Sequence, residues 1–129
     1  MYQPTVLVVD DDETIRELTQ LALESVNGWS VMTADGGVAA LEMCRLHHPD
    51  AVLLDMMMPD MDGLTTFEHL QADPATWDIP VILFTAKGRV GDRQPWDDYA
   101  IRGMIPKPYN PMTLGQQVSD LLQWSDVVS

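Results

Sequence analysis

The chain has 129 residues, of which 46% are hydrophobic and 21% charged, with eight glycines and nine prolines spread along it. That is enough for one ordinary globular domain with its own core, and it excludes disordered, collagen-like and low-complexity chains. Twenty acidic against seven basic residues leave a formal charge of −13, a field that repels phosphate backbones and anionic lipid headgroups, so direct nucleic-acid binding is not expected.

No apolar run approaches the roughly 18 to 20 residues of a membrane span. The start MYQPTVLVVDDD lacks the basic region and long apolar core of a secretory signal. The single cysteine, Cys44, cannot form an internal disulfide and fits a reducing compartment. The expectation is a single cytoplasmic domain over residues 1–129, without membrane insertion and without a separate output domain.

The β-branched, fully apolar run Thr5 to Val9 suits a strand covered on both faces, and Ala51 to Leu54 and Val81 to Phe84 have the same character. After the first run, Ile15, Leu18 and Ala22 recur at helical spacing behind a capping-box pattern, Thr14 to Glu17. Trp29 to Ala34 forms a second strand and Asp35-Gly36-Gly37 a turn. Val38, Leu41 and Cys44 then mark one face of a helix ending before His47-His48-Pro49. Leu64, Phe67 and Leu70 mark a third helix.

Pro95 interrupts the fourth helical pattern, Asp92 to Ile101, making it short, kinked or late to begin. Gly103 to Ile105 reads as a fifth strand. Asn110-Pro111 is a cap with proline at the first helical position, and Leu114, Val118 and Leu121 share one face of the fifth helix. Strand and helix alternate throughout with short connections, which predicts a doubly wound α/β fold with a parallel sheet.

In such a sheet, function collects at the carboxyl ends of the strands. The ends here are Asp10-Asp11-Asp12, Asp55, Thr85 and Lys107. Carboxylates brought together need a counter-charge, and hard oxygen ligands favour Mg²⁺ or Mn²⁺, which leave coordination positions open for phosphate. A lysine, a hydroxyl and a metal around one carboxylate are what in-line phosphoryl transfer onto an aspartate requires, with Asp55 as nucleophile.

This pattern, from VLVVDDD through LLDMMMPDMDG and ILFTA to IPKPYNP, resembles the receiver domain of two-component response regulators along almost the whole chain. The intervals agree too, at 30 residues from Asp55 to Thr85 and 22 from Thr85 to Lys107. The resemblance implies a (βα)5 flavodoxin-like three-layer sandwich, with a five-stranded parallel sheet in the order 2-1-3-4-5. It implies a phosphoacceptor at Asp55 and a magnesium site from Asp10, Asp11, Asp55 and the backbone carbonyl of Met57. Thr85 would be the switch hydroxyl and Lys107 the phosphate contact, with the Lys107-Pro108 bond a candidate cis peptide.

The implied function is a signalling switch rather than an enzyme. The implied partners are a sensor histidine kinase or His-phosphotransfer protein, and a downstream protein bound on the face of the fourth helix, fifth strand and fifth helix.

The chain departs from the family at Met104, where receivers carry Tyr or Phe. It departs also at Pro95 and Trp96, which suggest a non-standard output face. Met57 and Lys87 flank the phosphoryl position, and a bulky pair there would shield it from water.

Asp10-Asp11-Asp12-Glu13-Thr14 is similar also to the DxDxT opening of haloacid-dehalogenase-like phosphatases, with Asp10 as nucleophile and Asp12 as general acid. That alternative leaves Asp55 unexplained. A flavodoxin-like cofactor binder shares the architecture, but no glycine-rich phosphate loop follows the first strand. The Asp60–Gly63 stretch fails as a calcium loop, since His69 stands where its bidentate glutamate belongs. Met56, Met57 and Met58, Cys44 and the four tryptophans are expected to pack, and His47, His48 and His69 to lie at the surface.

Overall fold

A computed structural model describes residues 3–85 and 101–124. In chain order it contains β1 (Thr5–Val9), α1 (Glu13–Asn27), β2 (Ser30–Ala34), α2 (Gly37–His47), β3 (Ala51–Asp55), α3 (Gly63–Ala72), β4 (Val81–Thr85), β5 (Gly103–Pro106) and α4 (Pro111–Leu122). The last of these is the expected fifth helix. Residues 92–100 of the expected helix over 92–101, with Pro95 and Trp96, lie outside the described residues, as does Lys87, and Ile101 is described but not helical.

The strands form one parallel sheet in the order β2-β1-β3-β4-β5, as expected. Alternate residues serve opposite faces. Leu7, Val9, Val52, Leu54, Val81 and Leu83 pack with Ala40 and Cys44 of α2 and with Phe67 and Leu70 of α3. Val6, Val8, Leu53, Ile82, Phe84 and Ile105 pack with Leu23 of α1 and with Leu114, Val118 and Leu122 of α4. A sheet covered on both sides explains why these strands are apolar without interruption.

The helices differ from expectation in their details. Asp12, not the Thr14–Glu17 box, caps α1, its carboxylate accepting the Ile15 N–H at 3.1 Å. The inward face of α1 is Thr19, Ala22 and Leu23, while Leu18 is 53% exposed. Thr19 takes a buried place because its hydroxyl meets the Tyr109 phenol at 2.6 Å, a polar pairing that a search for apolar spacing passes over.

On α2 the inward residues are Gly37, Ala40 and Cys44, with Val38 exposed. Small residues are required there, since a Cβ on Gly37 would lie 2.5 Å from the Thr66 hydroxyl of α3. On α4 the expected cap is present, Asn110 accepting the Met112 N–H at 2.9 Å, but Leu122 rather than Leu121 is fully turned inward.

Trp29 is buried edge-on against Trp124, with centroids 5.4 Å apart, whereas Trp77 is exposed, contrary to the packing expectation. Cys44 is a buried hydrophobe whose thiol is pushed up to about 12 by burial. His47, His48 and His69 are exposed, and the His48 ring nitrogen Nε2 lies 3.0 Å from an Asp78 carboxylate oxygen. No described helix is long and apolar enough to cross a membrane.

The cap at Asp12 gives a direct expectation. Asp12→Ala lowers unfolding free energy by about 1 kcal/mol in urea denaturation, and an unchanged midpoint would show that the observed Ile15 contact contributes nothing.

Candidate functional site

Strand order brings the chemically biased ends together. β3 lies between β1 and β4, and β5 flanks β4, so Asp10, Asp55, Thr85 and Lys107 emerge at the carboxyl end of the sheet. Asp55 and Thr85 are the last residues of β3 and β4, while Asp10 and Lys107 directly follow β1 and β5. Asp10, Asp55 and Thr85 are buried, and Asp11 is exposed at the mouth.

Carboxylate oxygens of Asp10, Asp11 and Asp55 lie within 4.8 Å of one another. The Lys107 ammonium bridges two of the acids, with Nζ 2.8 Å from Asp10 Oδ2 and 3.3 Å from Asp55 Oδ1. Asp10 Oδ1 accepts the Asp12 N–H at 2.9 Å, and Asp55 Oδ1 accepts the Met57 N–H at 3.3 Å.

Burial, and then the neighbouring Asp10 charge, raise the Asp55 carboxyl above its ordinary range, against the opposing pull of Lys107. Burial alone would lower the Lys107 ammonium, but the Asp10 hydrogen bond and the charges of Asp55 and Asp10 outweigh it and hold the ammonium above its usual value. Three carboxylates against one ammonium leave an excess of negative charge. All-oxygen donors this close together suit a small hard divalent cation.

The supporting contacts contain residues that sequence reasoning missed. Arg16 of α1 donates from Nη1 to the Asp10 carbonyl at 2.8 Å, and Asp10 donates its own N–H to the Ala34 carbonyl at 3.1 Å. Lys107 donates its N–H to the Thr85 carbonyl at 2.7 Å, and the Lys107-Pro108 bond is cis, as expected. Tyr109 stacks on Phe84 with centroids 4.6 Å apart, while its phenol meets Thr19. The signal for Tyr109 was its place immediately after the Lys-Pro pair. Arg16 and Thr19 gave none, because their partners are a backbone carbonyl, which leaves no side-chain pattern, and a phenol 90 residues away.

The loop leaving Asp55 is closed by backbone. Gly63 donates its N–H to the Met56 carbonyl at 2.9 Å, and a Cβ on Gly63 would lie 2.7 Å from the Asp55 carbonyl oxygen. Asp62 caps α3 by accepting the Thr65 N–H at 2.8 Å. Asp60 accepts the N–H groups of Val38 and Gly37, which hold its carboxyl below the usual range. Met58 is buried and Met56 partly buried, but Met57 is 70% exposed, contrary to the expectation that all three pack. Met104 packs, partly buried, against the same core.

The family model for the response regulator receiver domain matches residues 6–119. The chain belongs to the receiver domain family. Among curated relatives, it is 38% identical over 118 residues to "Response regulator MprA" of Mycobacterium leprae (strain TN), covering 92% of this chain and 50% of that one. It is 36% identical to "Probable transcriptional regulator ycf27" of Cyanophora paradoxa, covering 92% of this chain and 48% of the relative. The receiver thus spans about half the length of these curated relatives.

Among solved structures, the N-terminal domain of a response regulator receiver protein from Methanoculleus marisnigri JR1 is 37% identical, with a TM-score of 0.75 over 96% of this chain and all of the other. Chemotaxis response regulator CheY4 of Vibrio cholerae is 26% identical, with a TM-score of 0.84 over 93% of this chain and 99% of the other. The phosphatase alternative gains no support from these comparisons. In this receiver the Asp12 carboxylate that it would use as general acid accepts the Ile15 N–H as a helix cap.

The raised Asp55 carboxyl fixes the sign of a pH effect. In the window between its ordinary range and its folded value, the native state holds a proton that the unfolded chain has released. Stability contributed there therefore falls as pH rises through that window. In metal-free buffer at neutral pH, Asp55→Asn melts above wild type by a few degrees, and the difference shrinks as pH is lowered into the carboxylate range. A variant that melts below wild type at neutral pH would contradict the assigned burial and Asp10 repulsion.

Proposed function

We propose that this receiver accepts a phosphoryl group on Asp55 from a phosphohistidine of a sensor histidine kinase or His-phosphotransfer protein, in a reaction that requires Mg²⁺ (or Mn²⁺). The carrying observation is the Lys107 ammonium held between Asp10 and Asp55 at the converging strand ends. Asp10, Asp11, Asp55 and the Met57 carbonyl would hold the cation, which would supply neutralisation of charge on the transferring group.

The chain's own residues do the rest. An Asp55 carboxylate oxygen attacks phosphorus, the phosphorus–nitrogen bond of the donor breaks, and the imidazole leaves with the electron pair and takes up a proton. Lys107 balances charge on the phosphoryl oxygens, and the Thr85 hydroxyl donates to one of them. The protein assists its own modification without turning over a substrate in the manner of an ordinary enzyme.

The donor protein approaches over an apolar groove of about 460 Å³ beside Lys107, lined by Ile15 and Leu18 of α1 and by Pro108, Tyr109 and Pro111. A group carrying a charge near −2 then biases the loops around Thr85 and Lys107 through differential contacts. This changes affinity for a downstream protein on the side of β5 and α4. The charge of −13 favours a protein over a nucleic-acid target, and the setting of the switch is the cytoplasm.

The test is incubation with Mg²⁺ and acetyl phosphate, with the modified residue located by mass spectrometry. Asp55 carries the label, Asp55→Ala does not, and Lys107→Ala is labelled about a hundredfold more slowly. Modification at Asp10, or undiminished labelling of Asp55→Ala, would overturn the proposal.

A further inference from the structure

Asp60 lies between β3 and α3, and none of the roles above uses it. Its two carboxylate oxygens accept the backbone N–H groups of Gly37 and Val38, each at 3.2 Å, from positions 23 and 22 residues earlier in the chain. These N–H groups open α2, and the first ones of any helix lack intrahelical acceptors. The helix brings no cap of its own, since Gly36 at the cap position has no side chain and the first turn carries no acid. A negative group is also favoured there by the helix dipole. A Cβ on Gly36 would lie 2.8 Å from both Asp60 oxygens, so the glycine leaves open the space that the carboxylate occupies.

The same turn touches the other half of the acidic site. Ala34, two residues before Gly36, accepts the Asp10 N–H at 3.1 Å. The connection from β2 to α2 is therefore bonded on one side to Asp10 and on the other, through Asp60, to the loop that begins at Asp55. Met57 stands between Asp55 and Asp60, and the Gly63 N–H on Met56 closes the far side of that loop.

We propose that Asp60 is a positioning residue: by clamping the Asp55–Gly63 loop to the start of α2, it holds Asp55 and Met57 in register with Asp10 and Asp11 for binding a divalent cation. This rests on the reading of the acidic site as a Mg²⁺ site. A purely structural role, capping α2, predicts something different, and the two can be separated because Gly36 can be given a cap of its own.

The experiment titrates the full chain with Mg²⁺ alone by calorimetry and measures urea denaturation in parallel, for wild type, Asp60→Ala, Asp60→Asn and the double variant Asp60→Ala with Gly36→Ser. Asp60→Ala loses stability and binds Mg²⁺ about tenfold more weakly. Asp60→Asn, whose amide oxygen accepts one of the same N–H groups, keeps part of both. In the double variant serine caps α2 locally, so stability returns while Mg²⁺ affinity stays low. Recovery of affinity together with stability in the double variant, or wild-type affinity in Asp60→Ala, would overturn the proposal. Absence of Mg²⁺ binding by wild type would overturn the metal reading and this proposal with it, an outcome visible before any variant is compared.

Discussion

The arrangement turns on one ammonium shared by two buried acids. Burial and the neighbouring Asp10 charge both oppose ionisation of Asp55, and Lys107, 2.8 Å from Asp10 and 3.3 Å from Asp55, is the cation that offsets part of that cost. The rest of the architecture can be traced to delivering these groups to one place. Parallel strands in the order β2-β1-β3-β4-β5 set the end of β1 beside the end of β3, and the end of β5 two strands further on, past β4. Helices on both faces bury the apolar strands that such an order demands.

Charge balance at this point also determines what the loops must do. With three carboxylates and one ammonium, small displacements change large energies, and the two buried acids are held by contacts to the backbone around them. Asp10 is fixed through its N–H on Ala34, its carbonyl on Arg16 and its carboxylate on the Asp12 N–H. Asp55 ends a strand and is followed by a loop closed at Gly63, where only a glycine lets the helix start come so near the Asp55 carbonyl. The neighbouring acids divide the remaining work. Asp12 and Asp62 cap the helices they precede, and Asp60 caps one it does not precede.

That division marks what the sequence could disclose. Strand runs of β-branched and aliphatic residues, the Asn110-Pro111 start and the acids, hydroxyl and amine at strand ends depend on local composition and on a single fold-level rule, and they were legible. The inward faces of α1 and α2 were not. Thr19 is buried by a phenol 90 residues away, and Gly37 and Ala40 face inward because α3 comes close, neither of which leaves an apolar repeat. The capping-box pattern at Thr14–Glu17 was a true local motif that lost to Asp12, which lies nearer the strand end and already sits in extended conformation. The Asp60 contact is non-local in the same way, and its one trace in the sequence is a helix beginning at Gly36-Gly37 without a residue to cap it.

The same electrostatics constrain how a phosphoryl group could act as a signal here. Asp55 resists carrying one negative charge in this pocket, so a group carrying nearly two cannot be accommodated by Asp55 alone; its counter-charges must redistribute. In the proposed switch Lys107 would then be drawn between Asp10 and the new oxygens. Its backbone N–H is bonded to Thr85 and the tyrosine two residues on is bonded to α1, so a shift of this lysine would be transmitted to β4 and to α1 together. Phe84, stacked on Tyr109 directly before Thr85, joins the two routes. Met104, on β5 in register with Leu83, offers a flexible thioether where an aromatic ring would give the core a sharper shape. In the proposed switch, coupling therefore runs through the Lys107–Tyr109 segment and its bonds to Thr85 and Thr19, with Met104 as an adaptable filler rather than the moving part.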